Sequence, residues 1–112
     1  MRNISFAKAI LEATDQCMAA NPAVYAVGLG VTDPGAIFGT TTGLRDKYGS
    51  NRVMDMPVAE NGMTGIAIGA ALGGMRPVLI HQRVDFALLS MEQIANQAAK
   101  WHYSFNAAAR VP

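Results

Sequence analysis

Three short apolar runs alternate with helical stretches along this chain, and that order constrains the fold more than any other feature. The runs predict strands at residues 23–29, 52–56 and 75–81. Strands that are apolar on both faces are typical of parallel sheets, in which helices make the connections and cover both sides. The sequence therefore predicts one domain over residues 1–112, a three-layer α/β/α fold with a mostly parallel sheet.

The predicted helices lie between and around these strands, at residues 4–20, 44–48, 61–73 and 86–105. In the first helix, apolar residues at helical spacing predict the face that packs on the sheet: Phe6, Ile10, Ala13 and Cys17. Asn3 is the predicted N-cap of this helix. On this face the single cysteine is expected to be a core residue rather than a nucleophile.

Composition excludes several classes of function. The net charge is +1 without a block of one sign, so a charge-driven grip on nucleic acid is not predicted. The longest uncharged apolar stretch is shorter than the ~20 residues of a membrane span, and no signal peptide is recognised, so we expect a cytoplasmic protein without membrane contact. His81 and His102 are the two histidines, and no pair of His or Cys has metal-ligand spacing, so no metal site is predicted.

Ligands of parallel sheets bind beyond the carboxyl ends of the strands, where this sequence places two polar segments. Glu60 follows the second strand, and residues 81–86 follow the third. Each has an alternative interpretation. Glu60 could be an ordinary carboxylate stabilised at a helix start, and Asp85 is expected to be the N-cap of the last helix.

The helix that follows Glu60 is rich in glycine, which usually destabilises a helix by ~1 kcal/mol relative to alanine. Gly62, Gly65, Gly69 and Gly73 recur at helical spacing. Together they give the helix a bare face on which another backbone can sit closely. We predict that this face packs against another helix or a partner subunit.

Three segments resemble one known family. Residues 60–69 match the pattern E-x-x-x-x-G-Φ-x-x-G, in which Φ is apolar, without a break. Residues 52–57 are similar to its R-V-x-D-x-P, and residues 93–100 resemble its D-Q-I-x-N-x-A-A-K. The chain resembles, over nearly its whole length, the N-terminal pyrimidine-binding domain of the β subunit of thiamine-diphosphate-dependent 2-oxoacid dehydrogenases.

The resemblance implies roles for individual residues. Glu60 aligns with the catalytic carboxylate that hydrogen-bonds N1′ of the cofactor's aminopyrimidine, and Phe86 aligns with an aromatic residue that packs on that ring. Val58 aligns with an apolar residue whose backbone neighbours the pyrimidine, and Gln82 lies in the matching loop. Arg83 departs from the apolar residue that many members have at its position.

A second departure concerns a turn near the end of the chain. The family's Gly-Gly near Ser104 is replaced by residues 106–108, which are Asn-Ala-Ala. A different turn is therefore expected there.

The resemblance also implies partners. Family α subunits hold magnesium and the diphosphate through G-D-G followed by Asn, and this sequence has no G-D-G. The chain resembles only the first part of a β subunit and would activate thiamine diphosphate for oxidative decarboxylation with an α-type partner, in a homo- or hetero-oligomer. A lipoyl acyltransferase would accept the acyl group. Two alternatives stay open: a transketolase-type or decarboxylase-type split enzyme, and a non-catalytic truncated subunit that acts only in assembly.

Overall fold

The protein, described by a computed structural model over residues 2–112, contains one parallel sheet flanked by helices. Its strands are β1 (Val24–Gly28), β2 (Val53–Asp55) and β3 (Arg76–Ile80), in the spatial order β2-β1-β3. Both neighbours pair with β1 in parallel. The predicted α/β fold and all three predicted strands are confirmed, with each strand one residue shorter at each end.

The helices are α1 (Phe6–Ala20), α2 (Ala36–Gly39), α3 (Leu44–Tyr48), α4 (Glu60–Leu72), α5 (Val84–Leu88) and α6 (Ala99–Ser104). A π-helical segment, Gln93–Ala98, precedes α6. The prediction of one continuous helix over residues 86–105 is wrong, because α5 ends in a turn and the chain then winds more widely. In that wider register Gln93 lies over Gly65 of α4, which has no side chain to obstruct it.

The core is built on both faces of β1, whose five residues are all buried. On one face Val24 and Ala26 pack with Met18 of α1. Alternate strand residues point to the opposite face, so Tyr25 and Val27 lie on the other side. The buried residues of α4 lie outside the first cluster, as expected for a right-handed β2–α4–β3 crossover that covers the second face.

The prediction for the packed face of α1 is wrong. Phe6, Ile10, Ala13 and Cys17 are all exposed, so Cys17 is not a core residue. The buried residues of α1 are Thr14 and Met18, with Leu11 partly buried beside them. Leu11, Thr14 and Met18 form a second stripe at helical spacing, and this stripe packs into the protein interior. It was not predicted because a search for apolar residues does not count threonine.

Two predicted helix caps are also wrong. Ser5 caps α1 by accepting a hydrogen bond from the backbone N–H of Lys8 (3.2 Å), so Asn3 does not. Asp85 lies inside the first turn of α5, where Arg83 occupies the N-cap position. An acid in the first turn is stabilised by the helix dipole without capping it.

The turn in which the family's Gly-Gly is replaced keeps a backbone that favours glycine. Asn106 and Ala107 have φ of 51° and 61°. Asparagine tolerates this left-handed region, whereas alanine is strained there. The substitution therefore changes the side chains of the turn more than its left-handed backbone.

At the amino end of the sheet, one side chain next to β2 forms hydrogen bonds to the end of α1 and to β1. Arg52, just before β2, donates hydrogen bonds to the backbone carbonyls of Met18 (2.7 Å), Asn21 (3.0 Å) and Val24. Its guanidinium also lies 5.0 Å from the centre of the Tyr48 ring. The Met18 carbonyl lies in the last turn of α1, where carbonyls have no partner within the helix, so this contact satisfies one of them.

An ion pair lies on the surface nearby. Lys47 contacts the carboxylate of Asp15 at 2.6 Å, and the Tyr48 hydroxyl donates to the same carboxylate at 2.7 Å. The hydrogen bond from Lys47, and then that from Tyr48, lower the pKa of Asp15. The pKa of Lys47 is raised, mainly by its hydrogen bond to Asp15. Within residues 2–112, no helix has both the length and the apolar character that a membrane crossing requires.

Candidate functional site

A cleft of about 550 Å³ opens at the carboxyl ends of β1 and β3. Its lining comes from the loop that follows β1 and from the segment that follows β3. The residues are Gly30, Asp33, Gly35, Ala36, Ile37, Phe38, Gln82, Arg83 and Phe86. The volume suits a small ligand or part of a larger one, and the position is the one predicted for ligand binding in a parallel sheet.

One wall of the cleft is anchored from β2. The carboxylate of Asp55 accepts hydrogen bonds from the backbone N–H of Val31 (2.7 Å) and of Thr32 (3.4 Å), and from the Thr32 hydroxyl. These contacts fix the start of the loop whose later residues line the cleft. Sequence analysis missed this role, although the aspartate of the R-V-x-D-x-P segment was the available signal.

The same wall contains a strained turn. Ala36, Ile37 and Phe38 in α2 have φ of 40°, 43° and 58°, so three consecutive residues with a Cβ lie in the left-handed region. Each such residue is destabilised by roughly 1–2 kcal/mol. Phe38 is nevertheless 81% exposed, so little packing within this chain compensates the strain. Strain of this kind is concentrated at ligand sites, and here it lies on the rim of the cleft.

The opposite wall carries two of the predicted cofactor contacts. Phe86 is half-buried, and the guanidinium of Arg83 lies 4.5 Å from the centre of its ring. Gln82 reaches across toward Gly30: a Cβ at that glycine would lie 2.9 Å from Nε2 of Gln82. With its φ of +70°, Gly30 is required here both for its backbone conformation and for the space it leaves.

Glu60 lies at the first position of α4, after the carboxyl end of β2, and is 9% exposed. Its backbone carbonyl accepts from the Thr64 hydroxyl at 2.8 Å. Within residues 2–112 no hydrogen bond or ion pair reaches its carboxylate. Its carboxylate oxygens retain some contact with solvent, so they are accessible to a ligand.

The structure brings the predicted cofactor contacts only partly together. Gln82 and Phe86 line the cleft, whereas Glu60 and Val58 lie outside its lining. Val58 is 82% exposed, so it is accessible from solvent. The roles of these four residues toward a cofactor remain predictions.

The glycine face of α4 is mostly open. A Cβ at Gly69 would meet nothing within 4 Å, and one at Gly62 would meet only the nearby Ala59. Gly65 is the exception, since a Cβ there would lie 3.3 Å from Oε1 of Gln93. Gly73 caps the helix and faces carbonyls of its own last turn.

Two further polar groups near the carboxyl end lack partners among the described residues. Both ring nitrogens of His81 are buried without a hydrogen bond, and so is the hydroxyl of Ser90, which is fully buried. His81 faces a separate cavity of about 300 Å³ between β3 and α1. Across residues 2–112, no three His, Cys, Asp or Glu side chains lie close enough to hold a metal ion.

The chain matches one family over the residues that build this site. The family description "Transketolase, pyrimidine binding domain" matches residues 2–112. Among curated relatives, the "Pyruvate dehydrogenase E1 component subunit beta" of Chaetosphaeridium globosum is 38% identical over 112 residues, which are 100% of this chain and 34% of the relative.

Relatives from land plants are similar at the same level. The mitochondrial subunit beta-2 of Oryza sativa subsp. japonica is 37% identical over 99% of this chain and 30% of its own length. The chloroplastic subunit beta-3 of Arabidopsis thaliana is 37% identical over 94% of this chain and 26% of its own length. The chain therefore spans about a third of the length of the relatives it matches.

Proposed function

We propose a function for this chain from its family, since it belongs to the transketolase pyrimidine-binding domains. The chain serves as the pyrimidine-binding part of a β-type subunit in a thiamine-diphosphate-dependent 2-oxoacid dehydrogenase. The relatives named as pyruvate dehydrogenase E1 β subunits support this choice over a transketolase-type or decarboxylase-type assembly.

One observation carries the proposal: Glu60 is only 9% exposed, and no hydrogen bond or ion pair from the described residues reaches its carboxylate. Such a carboxylate is available to pair with a donor that a ligand supplies. The ring nitrogen N1′ of an aminopyrimidine can share a proton with a carboxylate, and Glu60 occupies the position that the resemblance assigns to that contact.

The chain's own residues would then act as follows. Glu60 holds or returns a proton at N1′, which is general acid–base assistance. Phe86 presents an aromatic face to the pyrimidine, with Gln82 and Val58 as neighbours that orient the ring. When bound, thiamine diphosphate supplies the carbon nucleophile that attacks the 2-oxo group and accepts the electrons left by decarboxylation.

The diphosphate and magnesium belong, in this proposal, to an α-type partner subunit. The family's G-D-G motif for these groups is absent from this sequence, and the cleft lining contains one cation, Arg83, for an anionic group. The complete reaction is oxidative decarboxylation with transfer of the acyl group to a lipoyl acyltransferase. A cytoplasmic location stays a prediction, since relatives include mitochondrial and chloroplastic proteins.

The assembly interface is proposed to include the open glycine face of α4. Replacing Gly69 with Leu adds a branched side chain to a helix surface that this chain leaves uncovered. Overpacking at an interface typically destabilises it by ~1–3 kcal/mol. Sedimentation should show weaker association for Gly69→Leu, and no change for Ala19→Leu on the exposed side of α1. Equal association of all three proteins removes this face from the interface.

The function is tested by replacing Glu60 with Gln in the complex assembled with an α-type partner. Glutamine keeps the shape but cannot exchange a proton with N1′, so kcat for a 2-oxoacid should fall by ~10²–10⁴-fold. Folding should not suffer, because the change breaks no hydrogen bond or ion pair with the described residues.

The matched control is Glu12→Gln. Glu12 lies on α1 and forms a surface ion pair with Arg2, so this variant should leave kcat unchanged. Wild-type turnover in Glu60→Gln contradicts the proposed role of the carboxylate. A complex that assembles with the partner but shows no thiamine-diphosphate-dependent turnover of any 2-oxoacid supports the non-catalytic alternative instead.

A further inference from the structure

Arg83 is the one cation among the residues that line the cleft, and its guanidinium is weakly held. Its ion pair is with Asp85, two residues along the chain, at 3.2 Å, with side chains 61% and 58% exposed. Exposed pairs of this kind contribute little to stability, about 0–1 kcal/mol. An anion that enters the cleft can therefore replace Asp85 as the partner of the guanidinium with little loss of stability.

The position of the guanidinium is nevertheless defined. It lies over the ring of Phe86, 4.5 Å from the ring centre, and Phe86 follows it by one helical turn. Stacking on an aromatic ring directs the planar fork of donors without using up its hydrogen bonds. That fork matches a carboxylate, which it can bind through two parallel hydrogen bonds.

The two walls of the cleft differ in charge. On the wall opposite Arg83, the carboxylate of Asp33 approaches Gly30, where a Cβ would lie 3.1 Å from Oδ2. An acidic ligand group is repelled at that wall and attracted at the other. The cleft thus orients an anionic ligand with its charge toward Arg83.

The reacting carboxylate of a 2-oxoacid is a poor candidate for this contact. It leaves as carbon dioxide and loses its charge on the way, so a cation paired with it would stabilise the ground state more than the transition state. A second carboxylate, remote from the reacting carbon, keeps its charge throughout. Pairing with that group lowers KM without opposing the chemistry.

We propose that Arg83 is a specificity-determining residue that binds a second carboxylate at the far end of the substrate. The substrate class is then 2-oxoacids with an acidic side chain. This inference rests on the proposed function and deepens it, because it names the class of 2-oxoacid that the site accepts.

The test compares two substrates of equal carbon number in the assembled complex: 2-oxoglutarate and 2-oxopentanoate, which lacks the distal carboxylate. Wild type should have the lower KM for 2-oxoglutarate. In Arg83→Met this KM should rise by about 10- to 100-fold, the loss expected for a charge-assisted hydrogen bond, with kcat nearly unchanged. KM for 2-oxopentanoate should stay the same, and Arg83→Lys should recover part of the preference.

Other outcomes are decisive in different ways. If wild type does not favour 2-oxoglutarate, or if Arg83→Met shifts both KM values equally, Arg83 is a structural residue of the loop and the inference is overturned while the proposed function stands. If no 2-oxoacid is turned over in a thiamine-diphosphate-dependent manner, the proposed function fails, and the inference with it.

Discussion

The two ends of the sheet are built in contrasting ways. At the amino end, Arg52 satisfies three backbone carbonyls, and the nearby Asp15 is paired with Lys47 and Tyr48. At the carboxyl end, no described residue binds the carboxylate of Glu60, and both ring nitrogens of His81 are buried without a partner. The turn at Ala36, Ile37 and Phe38, whose backbone lies in the left-handed region although none of them is glycine, is also at this end.

This difference indicates that the polar groups at the amino end stabilise the fold, whereas those at the carboxyl end are available for function. A polar group that is buried and satisfied stabilises the fold, whereas one that is buried and unsatisfied destabilises it until a ligand or partner completes it. At the amino end the Arg52 guanidinium is paired with backbone carbonyls. The carboxyl end has the properties of a ligand site, with a cleft and polar groups that lack partners among the described residues.

The largest expected effect on stability is at the amino end. Arg52→Met keeps much of the side-chain length but removes the hydrogen bonds that the guanidinium donates to the carbonyls of Met18, Asn21 and Val24. The free energy of unfolding should fall by about 2–4 kcal/mol, as measured by urea denaturation. Arg76→Met, at an exposed arginine that begins β3, is the control and should change it little. Similar losses in both variants would mean that the three carbonyl contacts contribute nothing specific.

A smaller effect of opposite sign is expected at the carboxyl end. Phe38→Gly removes an exposed side chain and relieves a left-handed backbone, so the free energy of unfolding should rise by about 1 kcal/mol. Phe38→Ala removes the same ring but keeps a Cβ, and should not stabilise. Thermal denaturation of the two variants distinguishes them, and identical midpoints would show that the turn stores no strain.

The smallest effect is a pH dependence at the amino end. The pKa of Asp15 is lowered by its bonds to Lys47 and Tyr48, so its contribution is present above the unfolded pKa of an aspartate and is lost as pH falls through the folded value. The pKa of Lys47 is raised in the folded protein, so its contribution to stability is present below the unfolded pKa of a lysine and is lost as pH rises through the folded value.

The difference in unfolding free energy between wild type and Asp15→Asn should therefore be constant across neutral pH. It should shrink in acid below the ordinary pKa of aspartate. Urea denaturation at a series of pH values measures it. A difference that is the same in acid as at neutral pH would show that the carboxylate's charge has no part in it.

The sequence predicted the sheet well because apolar runs and glycine-rich connections are local signals. The three strands follow from them, and so does α4, which begins at Glu60, one residue before its predicted start. It failed on α1, where two stripes at helical spacing compete and only tertiary packing selects Thr14 and Met18. It also failed to foresee the π-helical segment, whose register depends on the contact between Gln93 and Gly65.

The sequence predicted individual residues of the site but not how they are arranged in space. Gln82 and Phe86 line the cleft as a loop after β3 should, but the anchoring contacts of Asp55 and the strained turn at Phe38 depend on long-range geometry that no motif shows. The burial of Glu60 distinguishes it from an exposed helix-start carboxylate, and only the folded structure reveals that burial.

The central claim is that Glu60 is left unpartnered in order to share a proton with N1′ of thiamine diphosphate. The most direct measurement is the rate at which the proton on the thiazolium carbon exchanges with deuterium in the assembled complex, because it isolates cofactor activation from later steps. Exchange in Glu60→Gln should be slower than in wild type and in Glu12→Gln by ~10²–10⁴-fold. Equal exchange rates in all three complexes would contradict the claim and leave Glu60 as a helix-start residue.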